Sequence, residues 1–547
     1  MKKMLSQHTM ILSMIVIVFI SLSGCTLTME KASMDMDHEM MIDVPCHQMP
    51  DGTMMGNCDE TSSEALPYSQ STEGLSPALP SEVVELGDGE SYDLVAKMVS
   101  KEINGNIVKM LGYNGMIPGP MLKVKQGSQV TINFTNQTDE EAMLHSHGLR
   151  LENRFDGTAL VQKPVPIGGS YTYELIFPDT GIYWYHPHIR EDYTQELGLY
   201  GNYFVQSEDL NYWSPVNQEV PLVLDDLMMD DEGIVSFDKE KASHTLMGRF
   251  GNVMLTNGET DWEVAVNMRD VVRFYVTNVS NARPYRLTIP GAQMKWVGGD
   301  ASKVEREEFL EALILSPSER AVIEVLFETP GLFKIMNDNK EGTTELGSVT
   351  VSKLTSEMDH REAFNNAREN QDVISEIDPF REYFDRPVDK TLELTMDMNM
   401  MEGMEMNMGA NHKIEWEDEM KMMNQSSTSE NLIWKLLDPE TGKENMDIDW
   451  KFQKGDVVKI RLFNDPNSMH PMQHPIHLHG QRFLVLETND ERNTNLVWKD
   501  TTLVQTGDIV DILVEMSNPG KWMLHCHIAE HLEADMMLGF EVLDTNL

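Results

Sequence analysis

One block of sequence occurs three times in this chain. Val130, Ile132 and Phe134 fall six, four and two positions before Asn136, with polar residues between them. The same spacing recurs with Val272, Phe274 and Val276 before Asn278, and with Val458, Ile460 and Leu462 before Asn464. Strict alternation places every second side chain on one face, as in a half-buried strand. A second block closes each copy on a glycine: Gly181 between Pro178 and His186, Gly331 between Glu328 and Met336, Gly520 between Ser517 and His525. Three such units predict an all-β chain of three β-sandwich domains. They are placed at 87–210, 217–355 and 386–547, with the charged segment 356–385 as a linker. A length of 547 residues accommodates this, at roughly 100–200 residues per domain.

The N-terminus reads as a targeting segment. Lys2 and Lys3 precede an apolar run from Met10 to Gly24, shorter than the about 20 residues a spanning helix needs. It ends in Leu22-Ser23-Gly24-Cys25, which resembles a bacterial lipobox. Residues 1–24 are then a signal peptide and Cys25 a lipidated N-terminus, holding an extracytoplasmic protein on the outer face of a bacterial cell membrane. Residues 25–86 show no sustained period and read as a Met-rich flexible tether. Four cysteines give no disulfide framework; Cys46 and Cys58 fit a copper clip or a simple disulfide equally. With 89 acidic and 43 basic residues, the surface repels nucleic acid and attracts cations.

Histidine placement carries the chemistry. Of 17 histidines, ten fall in four clusters: His145-Ser-His147, His186-Pro-His188, His474-Pro-Ile-His477-Leu-His479, and His525-Cys526-His527 with His531. In a strand, residues i and i+2 share a face while i+1 points away. His525 and His527 can therefore face one metal site while Cys526 faces another, joining two redox centres through a few covalent bonds. Two imidazoles, one thiolate and a weak axial thioether form the blue-copper pattern; Cys526, His531 and Met536 supply three of these, and His474 the fourth. The other eight histidines form four His-x-His pairs, suited to a three-copper cluster between units one and three. Unit two, with Met336 at the position of His186 and His525, is a spacer.

These clusters resemble the full signature of the multicopper oxidases, the family of laccases, ascorbate oxidase, ceruloplasmin and bacterial cuprous oxidases. The resemblance covers 87–547 and implies three cupredoxin-like Greek-key sandwiches. It also implies four coppers per chain and an enzyme that passes electrons from a small reductant to dioxygen. By position it implies His474, Cys526, His531 and Met536 as type 1 ligands. His145 and His477 would be type 2 ligands; His147, His186, His188, His479, His525 and His527 would hold the type 3 pair. Asp156 stands where the family often carries an acid near the cluster; Asp156-Gly157 also reads as a turn. Two departures stand out. Leu532 replaces the acid that several bacterial relatives carry after the last histidine. His470 replaces an aspartate four residues before the first blue-copper histidine. A monomer is expected.

Thioether sulfur binds Cu(I), and the third unit holds ten methionines between Met396 and Met423. This 28-residue stretch reads as an insertion, in style like that of bacterial cuprous oxidases, although methionines at such spacing also fit a helix face. Met404, Met406, Met408, Met469 and Met472 are candidate ligands for substrate copper. Cu(I) is therefore the expected reductant. A phenol-oxidising laccase or ferroxidase, and a non-enzymatic copper-sequestering lipoprotein, are the alternatives.

Overall fold

The computed structural model describes residues 67–398 and 412–544, together with His47–Gln48 and Met54–Met55. Cys25, Cys46, Cys58, Met404, Met406 and Met408 lie outside the described residues. The chain divides into two units, Met1–Ser62 and Ser63–Leu547. In the first, His47–Gln48 pairs antiparallel with Met54–Met55. All other elements belong to the second.

The repeated alternation is seen in three equivalent strands, Gln129–Gln137, Val271–Asn278 and Val457–Asn464. Each runs parallel to an earlier strand, respectively Ser91–Ile103, Gln218–Leu227 and Lys390–Met398. Each also runs antiparallel to a later one, respectively Ser170–Ile176, Arg320–Leu326 and Ile509–Glu515. The apolar residues of all three repeats are buried, each contributing about 1.5–3 kcal/mol on leaving water.

The glycine-led blocks form the second sheets. Gly181–Pro187, Gly331–Asn339 and Gly520–Cys526 each lie between two antiparallel neighbours. On one side are Leu144–His147, Tyr285–Thr288 and His474–Leu478. On the other are Gly201–Gln206, Gly342–Ser352 and Met537–Leu543. The result is three cupredoxin-like Greek-key sandwiches. The first and third share one continuous buried core, whereas most of the second sandwich packs around a core of its own.

Three segments are more folded than the sequence suggests. The stretch read as tether through residue 86 is already packed from residue 67. Tyr68 is buried and stacks on Tyr193 at 3.7 Å, and Val83–Glu85 pairs in parallel with Met121–Lys125. The linker 356–385 holds short helices, Arg361–Asn365 and Gln371–Ile377, which bury Phe364, Val373 and Ile377. The methionine-rich stretch from Met396 does not begin as an insertion. Met396 and Met398 complete the strand Lys390–Met398, paired with Leu432–Asp438. Beyond the undescribed residues the chain returns with Ile414 and Trp416 buried and the helix Lys421–Ser426. Both ends of the stretch thus belong to the folded body.

Candidate metal centre

Strand pairing brings the histidines into register. His145 lies opposite His186 in the first sandwich, and His477 opposite His525 in the third. The same positions in the second sandwich hold Thr288 and Met336, so that domain offers no imidazoles there. The two four-histidine sets meet face to face: the rings of His145 and His479 stack at 4.0 Å, and those of His147 and His477 at 3.6 Å.

Within this group, donor atoms converge in sets whose members lie within 4.8 Å of one another: His145, His147 and His477; His147, His186 and His527; His188, His479 and His525. Most rings have one nitrogen fixed by an oxygen. His145 Nδ1 is 2.7 Å from the Asp156 carbonyl, His186 Nδ1 2.7 Å from that of Pro187, and His477 Nδ1 2.8 Å from that of Asp500. His525 Nδ1 is 2.8 Å from the Cys526 carbonyl. Carboxylates hold His147 Nε2, at 2.9 Å from Asp500 Oδ1, and His479 Nδ1, at 3.0 Å from Asp156 Oδ2. The opposite nitrogens of His145, His147, His186 and His477 are buried without any hydrogen-bond partner among the described residues. Fixing one ring nitrogen and orphaning the other is what a metal-binding imidazole requires. Burial, and then the neighbouring rings, hold His147, His477 and His525 far below the ordinary histidine range, so they remain neutral donors.

Asp156 precedes a tight turn and its carboxylate lies against two of the histidines. Gly157 after it has φ +78°, and a Cβ there would collide with the Leu144 carbonyl. That tight turn returns the Asp156 carboxylate to His479 and His145.

Cys526 points away from the cluster. Its Sγ lies 3.5 Å from His474 Nδ1 and 3.7 Å from His531 Nδ1, and the two nitrogens are 3.3 Å apart. All three residues are fully buried, as is Met536, whose carbonyl accepts from the Cys526 N–H at 3.1 Å. Burial pushes the Cys526 thiol well up; a bound cation is what would hold it as thiolate here. The donor chemistry fits copper at both sites: soft thiolate with imidazoles at one, imidazoles alone at the other.

Around the Cys526 site, Trp434 stacks on His531 at 4.1 Å and lies 4.9 Å from His474. His470, 6.4 Å from Trp434, places Nε2 2.9 Å from Met247 Sδ. Met472 is fully buried, and Met469 packs on the same core. The sequence reading did not find Met247, Trp434, Asp500, Arg320 or Glu191. Their positions show no period; Met247 and Arg320 come from the second sandwich, and Glu191, only three residues from His188, is brought round by the left-handed turn at Arg190.

Two models of the multicopper oxidase family match the chain, one over residues 96–209 and one over 413–546. The multicopper oxidase mco of Staphylococcus aureus is 26% identical over 459 residues, covering 82% of this chain and 87% of that protein. The solved structure of McoA multicopper oxidase from Aquifex aeolicus, 25% identical, superposes with a TM-score of 0.64 over 87% of this chain and 100% of its own. A Campylobacter jejuni multicopper oxidase described as a metallo-oxidase, 21% identical, shows the same fold, with a TM-score of 0.64 over 87% of this chain and 99% of its own. Three cupredoxin-like sandwiches bearing an imidazole cluster and a cysteine–imidazole site define a copper-dependent oxidoreductase. The chain belongs to the multicopper oxidase family, whose members oxidise a reductant at the expense of dioxygen and use type 1, 2 and 3 copper.

Proposed function

We propose that this protein oxidises Cu(I) outside the cytoplasm, held to the membrane by lipid on Cys25, and thereby protects the cell from copper. Four Cu(I), one O2 and four protons give four Cu(II) and two waters. In this reading His474, Cys526, His531 and Met536 hold type 1 copper. His145 and His477 hold type 2 copper, and His147, His186, His188, His479, His525 and His527 hold the type 3 pair. Copper at these positions supplies one-electron entry at Cys526 and four-electron reduction of dioxygen at the cluster. The chain's own contribution is the covalent path from Cys526 to His525 and His527, and imidazoles held in place in a buried site.

The observation that carries Cu(I) as substrate is the soft shell over the electron-entry site. His470 and Met247 are paired nitrogen to sulfur at 2.9 Å beside Trp434, and Met469 packs on the same core. Burial keeps His470 neutral, lowered to about 4, so its lone pair is available to a soft ion. A phenol-binding site has no need of these ligands. Oxygen uptake by the copper-loaded protein with Cu(I), Fe(II) and a phenol in parallel tests the reading. Cu(I) should give the highest kcat/KM, and Met247→Leu should lower it for Cu(I) alone. Preference for Fe(II) or the phenol would overturn it.

A further inference from the structure

Glu191 is the most anomalous side chain near the cluster. It is 1% exposed, and no lysine or arginine pairs with it among the described residues. Its Oε1 lies 3.2 Å from His188 Nδ1 and its Oε2 3.7 Å from His186 Nδ1. Neither oxygen has a hydrogen-bond partner of good geometry among the described residues. A buried carboxylate without a cation is costly unless something at the site compensates it.

The position also completes a pattern. Asp156 lies against His145 and His479, and Asp500 against His147 and His477. Glu191 lies against His186 and His188 in the same way. His188 is the imidazole that depends on it, because among the described residues no carbonyl or other carboxylate meets its Nδ1, whereas His186 Nδ1 also has the Pro187 carbonyl.

The backbone is forced into place to present it. Arg190 sits in the left-handed region at φ 46° and ψ 55°, strained for a residue with a Cβ. A clamp holds it there. The Arg190 guanidinium grips Asp192 at 2.8 and 2.9 Å and the carbonyls of Asp238 and Lys239 at 2.8 Å each. The Glu191 N–H donates to Glu533 Oε1 at 3.1 Å. The short helix Glu191–Thr194 packs against Ala529–Leu532, the segment whose last residue is the leucine that departs from the acid of bacterial relatives.

We propose that Glu191 is a third carboxylate of the copper cluster. It acts as a positioning residue that fixes His188 at Nδ1, and His186 secondarily, so that each Nε2 faces the metal and the carboxylate's charge offsets that of the ions. This rests on the copper-ligand assignment given above. Outer carboxylates on metal-bound imidazoles commonly govern metal affinity by about 10–100-fold.

The test uses the copper-loaded full chain and its Glu191→Gln and Glu191→Ala variants. Copper per chain, near-ultraviolet type 3 absorption, the blue band and copper loss to a chelator are measured. Glu191→Ala should lose cluster copper to the chelator about tenfold faster or more and weaken the type 3 absorption, with the blue band unchanged. Glu191→Gln retains an acceptor oxygen and should recover most of the copper retention. A purely structural role would shift melting of the metal-free protein without this selective loss. If Glu191→Ala keeps four coppers, full type 3 absorption and wild-type chelator resistance, the proposal is overturned. Should that variant not fold, Glu191→Asp, which withdraws the oxygens by one methylene, decides by the same measurements. A wild-type chain that holds fewer than four coppers would instead sink the ligand assignment itself.

Discussion

Arg320 holds Asp500 with both terminal guanidinium nitrogens, at 2.6 and 2.5 Å, deep between the sandwiches. Asp500 Oδ1 in turn meets His147 Nε2 at 2.9 Å. Arg320 belongs to the second sandwich, Asp500 to the third and His147 to the first. The second sandwich, which looked like a mere spacer, therefore supplies the counter-charge that keeps a cluster carboxylate in place.

Replacing Arg320 by Gln should leave the buried Asp500 carboxylate uncompensated. Breaking one partner out of a buried pair costs about 3–5 kcal/mol. The melting temperature should fall by several degrees and cluster copper should decrease, while the blue band survives. Arg320→Lys should rescue poorly, because an ammonium cannot reproduce the two-pronged grip. Melting and copper content within error of wild type in Arg320→Gln would refute the bridging role.

Cys526→Ser should abolish the blue band and turnover while leaving the fold intact. The side chain is 0% exposed and similar in size to its replacement, so the packing changes little. What is lost is the soft ligand and the covalent route to His525 and His527. Oxygen reduction by Cys526→Ser at the normal rate would show that electrons enter elsewhere.

His244 offers a pH signature unconnected with the copper ligands. Burial, and then the Arg249 guanidinium, lower it from 6.5 to about 3. Its Nδ1 lies 3.0 Å from Ser243 Oγ and 3.5 Å from Arg249. The unfolded chain binds a proton near pH 6.5 while the folded chain does not until about 3. Stability is therefore complete above 6.5 and falls as pH drops toward 3, by roughly 1.4 kcal/mol per unit. In the metal-free protein, His244→Gln should flatten this acid limb. An acid-unfolding profile of His244→Gln that parallels the wild type between pH 6 and 4 would count against it.

The sequence made the fold and the cluster legible because both depend on short-range periods. Alternation located the central strands, and the i, i+2 rule placed His525 and His527 opposite in sense to Cys526, as the structure arranges them. The positioning groups were hidden for the opposite reason. Asp500 meets His147 across 353 positions, and nothing local marks either as a partner. Glu191 follows His188 by three residues, but only the left-handed turn at Arg190 makes that spacing meaningful. The end of the tether is hidden in the sequence because Val83–Glu85 is three residues long, too short to show alternation. Met396 and Met398 were grouped with their methionine-rich neighbours, although their period of two is that of the strand they complete.

Deleting 396–423 would remove part of a strand, buried Trp416 and the Glu417–Arg283 ion pair, where Glu417 Oε1 lies 2.6 Å from Arg283. Loss of activity would then say nothing about substrate. The informative change replaces 399–411 by a Gly-Ser segment of equal length. It removes Met400, Met401, Met404, Met406 and Met408 but keeps Met396, Met398 and the helix Lys421–Ser426. If these thioethers gather Cu(I) for the entry site, KM for Cu(I) should rise with kcat nearly unchanged, the mark of lost ground-state binding. Phenol oxidation should not fall, because a phenol makes no use of thioether ligands. Parallel steady-state oxygen uptake with the two substrates measures both. Unchanged kinetics for Cu(I) at every concentration would leave His470, Met247 and Met469 in contention and would remove the segment from the copper route.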